Sequence, residues 1–204
     1  MVITCLHGFL GNPHDWDFLR DAGLAIETPP LDAIPPHGDT LLGYSLGGRL
    51  ALHALLAGAQ YKRAIFVSTG LGIEGDDARA ARRAADEAWA RRFETEDFDS
   101  VLAAWNAQPV LAGPALTRTR DDYDPRALRE WSSGSLQPVA SRLHELTIPT
   151  LWIAGALDVK YVAEAKRAVS LAPNADLAII EDAGHRIPWQ KPREFMERLQ
   201  PQRH

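Results

Sequence analysis

The stretch Thr40–Leu52, TLLGYSLGGRLAL, is a short apolar run, then G-Y-S-L-G, then a helix-like run opened by Gly48 and Arg49. A G-x-S-x-G between a strand and a helix demands a sharp turn with small residues at its ends, so that strand and helix approach closely and the serine hydroxyl stands clear of a sheet. That geometry belongs to a parallel sheet wrapped by helices, and the rest of the chain is patterned to supply one. Strands are expected at Val2–Leu6, Leu24–Glu27, Thr40–Tyr44, Ala64–Ser68, Thr150–Ala154 and Leu177–Ile180. Each is short and apolar throughout, as when both sheet faces are covered. Helices are expected at Trp16–Asp21, Ser45–Ala57, Val159–Leu171 and Pro192–Leu199.

The middle breaks this rhythm. Residues 71–146 contain no convincing strand, and residues 1–70 with 147–204 form the α/β core around them. Four helices are expected in this insertion. The first covers 76–94, with Asp76 and Asp77 at its positive end. The second covers 97–109 and stops at Pro109. The third, 124–134, has Asp124 as cap and Pro125 in its first turn; the fourth is 137–146. An all-helical insertion here is placed to be a lid. The Pro-rich 29–39 reads as an irregular connection rather than a helix.

Bulk properties narrow the functions. The chain has 204 residues, 46% hydrophobic and 24% charged, and a net charge of −5. That balance supports one domain with a real core and gives no basic field for nucleic acid. No apolar run is long enough to span a bilayer. The N-terminal run is too short for a signal peptide and lacks basic residues ahead of it. Cys5 is alone, which excludes an internal disulfide and leaves a cytoplasmic address as the expectation.

A serine needs a base and the base needs an orienting acid. His185, in AGH after the last strand, is the expected base. Asp158, in AGALD after the fifth strand, is the expected acid, with Asp182 its nearby competitor. Both lie at carboxyl ends of strands, where open α/β sheets hold their sites. Backbone N–H groups of Leu46 and of Phe9, in the loop LHGFLG, are expected to form an oxyanion hole. His7 is read as a brace for that loop. His14, His37, His53, His144 and His204 lack ligand spacing, so no metal or other cofactor is expected. Arg49, one helical turn past Ser45, reads either as a structural ion pair or as a clamp for a substrate carboxylate. Arg82, Arg83 and Arg129 in the insertion are further candidates. Of its aromatic residues, Trp89, Phe93, Phe98, Tyr123 and Trp131 read as packing.

LHGFLG, GYSLGGRLAL, AGALD and AGH together resemble the α/β-hydrolases over most of the chain. The insertion segments ARAARRAADEAWARRFE, AAWNAQP and ALREWSSGSLQP are similar to the lid of the SHCHC synthases (2-succinyl-6-hydroxy-2,4-cyclohexadiene-1-carboxylate synthases) of menaquinone biosynthesis. The resemblance implies elimination of pyruvate from a tricarboxylate cyclohexene, not hydrolysis. Ser45, His185 and Asp158 would serve proton abstraction. Tyr44, Arg49, Trp105 and Arg82 (or its neighbour Arg83) would bind substrate, as would Arg129. The implied partner is therefore a small anionic polycarboxylate, with no membrane or nucleic acid. One departure is the short 29–39 segment, where the family implies a full helix; it would leave one sheet face thinly covered, a possible contact in a homo-oligomer. The residues themselves leave two other readings open: a carboxylesterase or thioesterase using the same three groups, and a non-catalytic binding protein.

Overall fold

The computed structural model describes residues 1–114 and 116–199. Six strands form one sheet: β1 (Ile3–Leu6), β2 (Ile26–Glu27), β3 (His37–Tyr44), β4 (Gln60–Val67), β5 (Thr150–Gly155) and β6 (Ala175–Ile180). The order is β2-β1-β3-β4-β5-β6 and every pairing is parallel. The helices are α1 (Asp17–Asp21), α2 (Leu46–Leu56), α3 (Asp76–Thr95), α4 (Phe98–Asn106), α5 (Arg126–Arg129), α6 (Val159–Leu171), α7 (Ile187–Gln190) and α8 (Pro192–Leu199).

Alternation along the strands divides the core in two, because successive side chains point to opposite faces. Leu6, Leu41, Ala64, Phe66, Trp152 and Ala154 face α2 and α6, meeting Ala51, Leu52, Leu55, Ala165 and Ala168. Cys5, Leu42, Tyr44, Ile65, Val67 and Ile153 face the other way, meeting Trp16, Leu19, Ile187, Phe195 and Leu199. Each fully buried large aliphatic side chain contributes ~1.5–3 kcal/mol, so both faces are held strongly. The short β2–β3 connection does cover its face: Leu31 and Ile34 pack onto the first of these clusters, and Tyr61 donates a 2.8 Å hydrogen bond to the Pro35 carbonyl.

Among the described residues no strand lies between β4 and β5. The helix expected over 76–94 is α3, entered from Gly75 in the left-handed region (φ 86°). The helix expected over 97–109 is α4, capped by Asp97, whose carboxylate accepts a 2.9 Å hydrogen bond from Ser100 N–H. The other two are shorter than expected. Only Arg126–Arg129 of 124–134 is α-helical, because Trp131 N–H returns to the Arg126 carbonyl and the Ser132 hydroxyl accepts from Gly134 N–H, turning the chain away. Within 137–146 there is a 3₁₀ segment, Ala140–Glu145. Arginines of α3 fasten this turn: Arg79 and Arg83 both donate to the Gly134 carbonyl, at 3.2 and 2.8 Å.

Candidate active site

The strand order reverses direction between β1 and β3, and the loops leaving their carboxyl ends meet at that crevice. Ser45 sits there with φ 52°, a left-handed conformation rare for residues other than glycine. Close packing enforces it. A Cβ on Gly43 would come within 2.5 Å of the Gly48 Cα, and one on Gly47 within 2.5 Å of the Leu6 and His7 carbonyls. The glycines at both ends of the turn are therefore steric requirements, and the serine between them is pushed out over the sheet edge.

Three side chains from three loops converge. His185 Nε2 lies 3.0 Å from Ser45 Oγ, and His185 Nδ1 lies 2.7 Å from Asp158 Oδ2. His185 and Asp158 are 4% and 7% exposed, so the pair is shielded from water. Asp158 caps α6, its other oxygen accepting a 3.4 Å bond from Tyr161 N–H. Asp182, the competitor, is turned to solvent and pairs with Lys191 at 3.7 Å. Two features near His185 carried no sequence signal. The Ser68 hydroxyl donates a 2.8 Å bond to the His185 carbonyl, and Tyr161 lays its ring 4.5 Å from the imidazole centroid. With Asp158 holding one ring nitrogen, the other is set to exchange a proton with Ser45 Oγ.

Two cavities open on Ser45 and His185. One, of about 180 Å³, lies toward α2 and α3 and is lined by Arg49, Arg82, Asp86, Lys160 and Tyr161. The other, of about 70 Å³, lies on the Tyr44 side, with Asn106, Arg118 and Arg186 in its wall. Phe9 and Trp105 border both, their rings 4.7 Å apart. Leu46, the first residue of α2, lines the larger cavity. Its N–H belongs to the helix's first turn, which has no intrahelical partner to offer it. Phe9 follows Gly8 in a tight turn closed by a 3.0 Å bond from Gly11 N–H to the Gly8 carbonyl. His7 lies within the protein, its Nδ1 2.9 Å from the Gly8 carbonyl, and burial pulls its pKa below the usual imidazole value.

Arg49 is the unusual group. Its Nη2 donates a 3.1 Å bond to the Trp131 carbonyl, while its buried Nε has no partner among the described residues. Burial pulls its pKa down, but a guanidinium stays charged. Arg49 is half-buried and no carboxylate among the described residues pairs with it, an arrangement expected where an anion is to bind.

The arginines of the insertion divide. Arg82 reaches the larger cavity, tied at 2.8 Å to the buried Asp86, which also accepts from the Ser132 hydroxyl. Arg83 is spent on the Gly134 carbonyl and lines neither cavity. Arg129 is likewise outside: it bridges Glu87 at 2.7 Å and Glu94 at 2.5 Å on the exposed side of α3. The expectation that Arg83 or Arg129 binds substrate is therefore corrected, since both are engaged by acceptors of the insertion itself. No group of three potential metal ligands occurs among the described residues, and His204 lies outside them. No helix among them is long and apolar enough to cross a membrane.

A model of the alpha/beta hydrolase family matches residues 3–198. The chain belongs to the alpha/beta hydrolase family. Among its relatives is the 2-succinyl-6-hydroxy-2,4-cyclohexadiene-1-carboxylate synthase of Salmonella typhimurium, 30% identical over an alignment that covers 97% of this chain and 91% of the relative. The enzyme of the same name from Escherichia coli O139:H28 is 28% identical, over 93% of this chain and 88% of the relative. The solved structure of MenH from S. aureus has a TM-score of 0.86 at 25% identity, covering 98% of this chain and 91% of that one. An esterase from Exiguobacterium antarcticum, at 16% identity and a TM-score of 0.71 over 98% of this chain and 90% of that one, shares the family's fold.

Proposed function

We propose that this alpha/beta hydrolase is a lyase. It eliminates pyruvate from 2-succinyl-5-enolpyruvyl-6-hydroxy-3-cyclohexene-1-carboxylate, giving the product for which its curated relatives are named. The observation that carries the reading is the pairing of a Ser45–His185–Asp158 hydrogen-bond chain with a half-buried arginine, one helical turn away, that no carboxylate among the described residues pairs with. An esterase for neutral acyl groups has no use for such a cation, because its pocket is best lined by apolar groups.

In this reaction His185 draws the proton from Ser45, and the Ser45 oxygen takes the ring proton α to the succinyl carbonyl. The backbone N–H groups of Phe9 and Leu46 receive the enolate oxygen. Arg49 holds a carboxylate bidentately. Arg82, Tyr44 and Trp105 complete the wall against which the substrate is oriented. Asp158 keeps the imidazole in its working tautomer and stabilises it when it is protonated. The work is done in the cytoplasm on a freely diffusing polycarboxylate, without metal or organic cofactor.

The test is pyruvate release from that substrate, made in situ, against the enzyme-free rate. The wild-type protein is expected to accelerate it. Ser45→Ala removes most of the acceleration, about 10²–10⁴-fold, and Arg49→Ala acts mainly by raising KM. Release by the wild type at the blank rate sinks the proposal and turns attention to short acyl esters and thioesters.

A further inference from the structure

The smaller cavity beside Ser45 has a cation of its own. Arg186 directly follows His185, is 5% exposed, and lines this cavity with Tyr44, Trp105 and Asn106. Its described bonds go only to uncharged acceptors: the Pro114 carbonyl at 2.8 Å and the Asn106 side-chain oxygen. No carboxylate among the described residues pairs with it. The neighbouring Arg118 is different, being committed to the buried Asp15 at 2.7 Å. A guanidinium has five N–H donors, so two bonds leave Arg186 free to take a carboxylate. Burial lowers the pKa of Arg186, which still leaves it cationic.

We propose that Arg186 anchors the carboxylate of the enolpyruvyl group, so that the smaller cavity is the seat of the leaving pyruvate. The inference rests on the lyase reading above. Size and charge divide the substrate between the two spaces. The cavity of about 70 Å³ has room for several waters, the scale of a three-carbon acid, and the ring with its succinyl arm goes to the space of about 180 Å³ beside Arg49. The two spaces meet at Ser45, where the ring proton is removed. The pair from that C–H bond becomes a double bond to the neighbouring ring carbon, and the pair of the ring's existing double bond shifts one position toward the carbon that bears the enolpyruvyl group. The bond from the ring carbon to the enolpyruvyl oxygen breaks, and the oxygen keeps its electrons. The enolpyruvate then takes up a proton at its methylene carbon and becomes pyruvate. Nothing else is consumed, and Arg186 faces the fragment on which charge accumulates.

Pyruvate itself is the probe, titrated into the full-length protein and followed by NMR, with turnover measured in parallel. Wild type is expected to bind pyruvate in the millimolar range, and Arg186→Gln to weaken binding about tenfold or more. Arg186→Lys, which keeps the charge but not the fork, falls between them. Asn106→Ala removes a tie to Arg186 yet leaves its charge, so it retains most of the pyruvate affinity. The idea is overturned if wild type does not bind pyruvate at tens of millimolar, or if Arg186→Gln binds it as well as wild type. It is also overturned if Asn106→Ala loses as much as Arg186→Gln, since Arg186 would then serve only to hold the segment around Pro114. If pyruvate binds through Arg186 but the substrate is not turned over, the lyase reading fails and the carboxylate site stands. If turnover is intact and pyruvate ignores Arg186, the reverse holds.

Discussion

The two parts of this molecule are held by different mixtures of forces. The sheet and its flanking helices are apolar and close-packed: Trp152, Phe66, Leu41 and Leu52 are essentially without solvent contact. The insertion between β4 and β5 packs a smaller aromatic cluster against Phe9 and Leu10 of the loop after β1, in which Phe93 stacks on Tyr123 at 5.1 Å. Its periphery is tied by arginines: Arg79 and Arg83 to the turn at Gly134, Arg82 to Asp86, Arg129 to Glu87 and Glu94. Dense packing fixes positions to fractions of an ångström, which proton transfer requires. The insertion adds a rim of ion pairs and side chain–backbone bonds to its own buried contacts. The Ser45, His185 and Asp158 side chains all stand on the first part, and the second part closes over them.

That contrast can be broken at either end. His185→Ala should lower kcat by about 10²–10⁴-fold with little change in Tm; a large loss of Tm would mean the site is part of what holds the core. Trp152→Ala should cost ~3–5 kcal/mol in urea unfolding, from lost burial and the cavity left behind. Asp86→Ala leaves Arg82 and Ser132 without their acceptor and should cost less, about 1–3 kcal/mol. It should raise KM for the anionic substrate more than it lowers kcat, and an effect on kcat alone would contradict the division of labour. Arg129→Gln should change Tm by no more than about 3 °C and leave kcat/KM nearly untouched; a strong loss of activity would restore Arg129 to the binding site. The small Arg129 effect should also depend on pH. Hydrogen bonds from Arg129 and Arg91 hold Glu87 down at about 2, against an ordinary value of 4.5. A depressed carboxylate stabilises the fold above its unfolded pKa. The Tm gap between wild type and Arg129→Gln should therefore be steady from pH 7 to 5 and close as pH falls from 4.5 toward 2.

Much of the core was legible in the sequence because its strands are continuous apolar runs bounded by turn residues. Boundaries moved where backbone pairing extends past the apolar stretch, as in β3, which begins at the exposed His37, and β4, which begins at Gln60. In the site, Ser45, His185 and Asp158 were legible because each follows a strand in a glycine-marked turn. The arginines were harder. Spacing placed Arg49 on the serine's side of α2, since both lie within one turn of one helix. It could not place Arg129, whose direction is decided by Glu87 and Glu94, on another helix more than thirty positions away in the chain. The helix expected over 124–134 is longer than the one found because Gly134 looks like an ordinary helix end, while the chain already turns at Ser132, whose hydroxyl is held by Asp86 of α3. Arg186 carried a signal in plain view, the position directly after the histidine, but adjacency along a chain does not reveal which residues have counter-ions.

The register of the sheet has a consequence for descent. β4 and β5 lie side by side, paired from Ala64 with Thr150 through Val67 with Ile153, although the whole insertion separates them in the chain. Their alignment is specified by the strands and the layers packed on them, and the insertion supplies part of one layer, since its Leu71, Val139, Ala140, Leu143 and Leu146 are buried with Phe66 and Trp152. Selection can rewrite its outer helices more freely than these inner positions, so that lineages with one chemistry can diverge in what they accept.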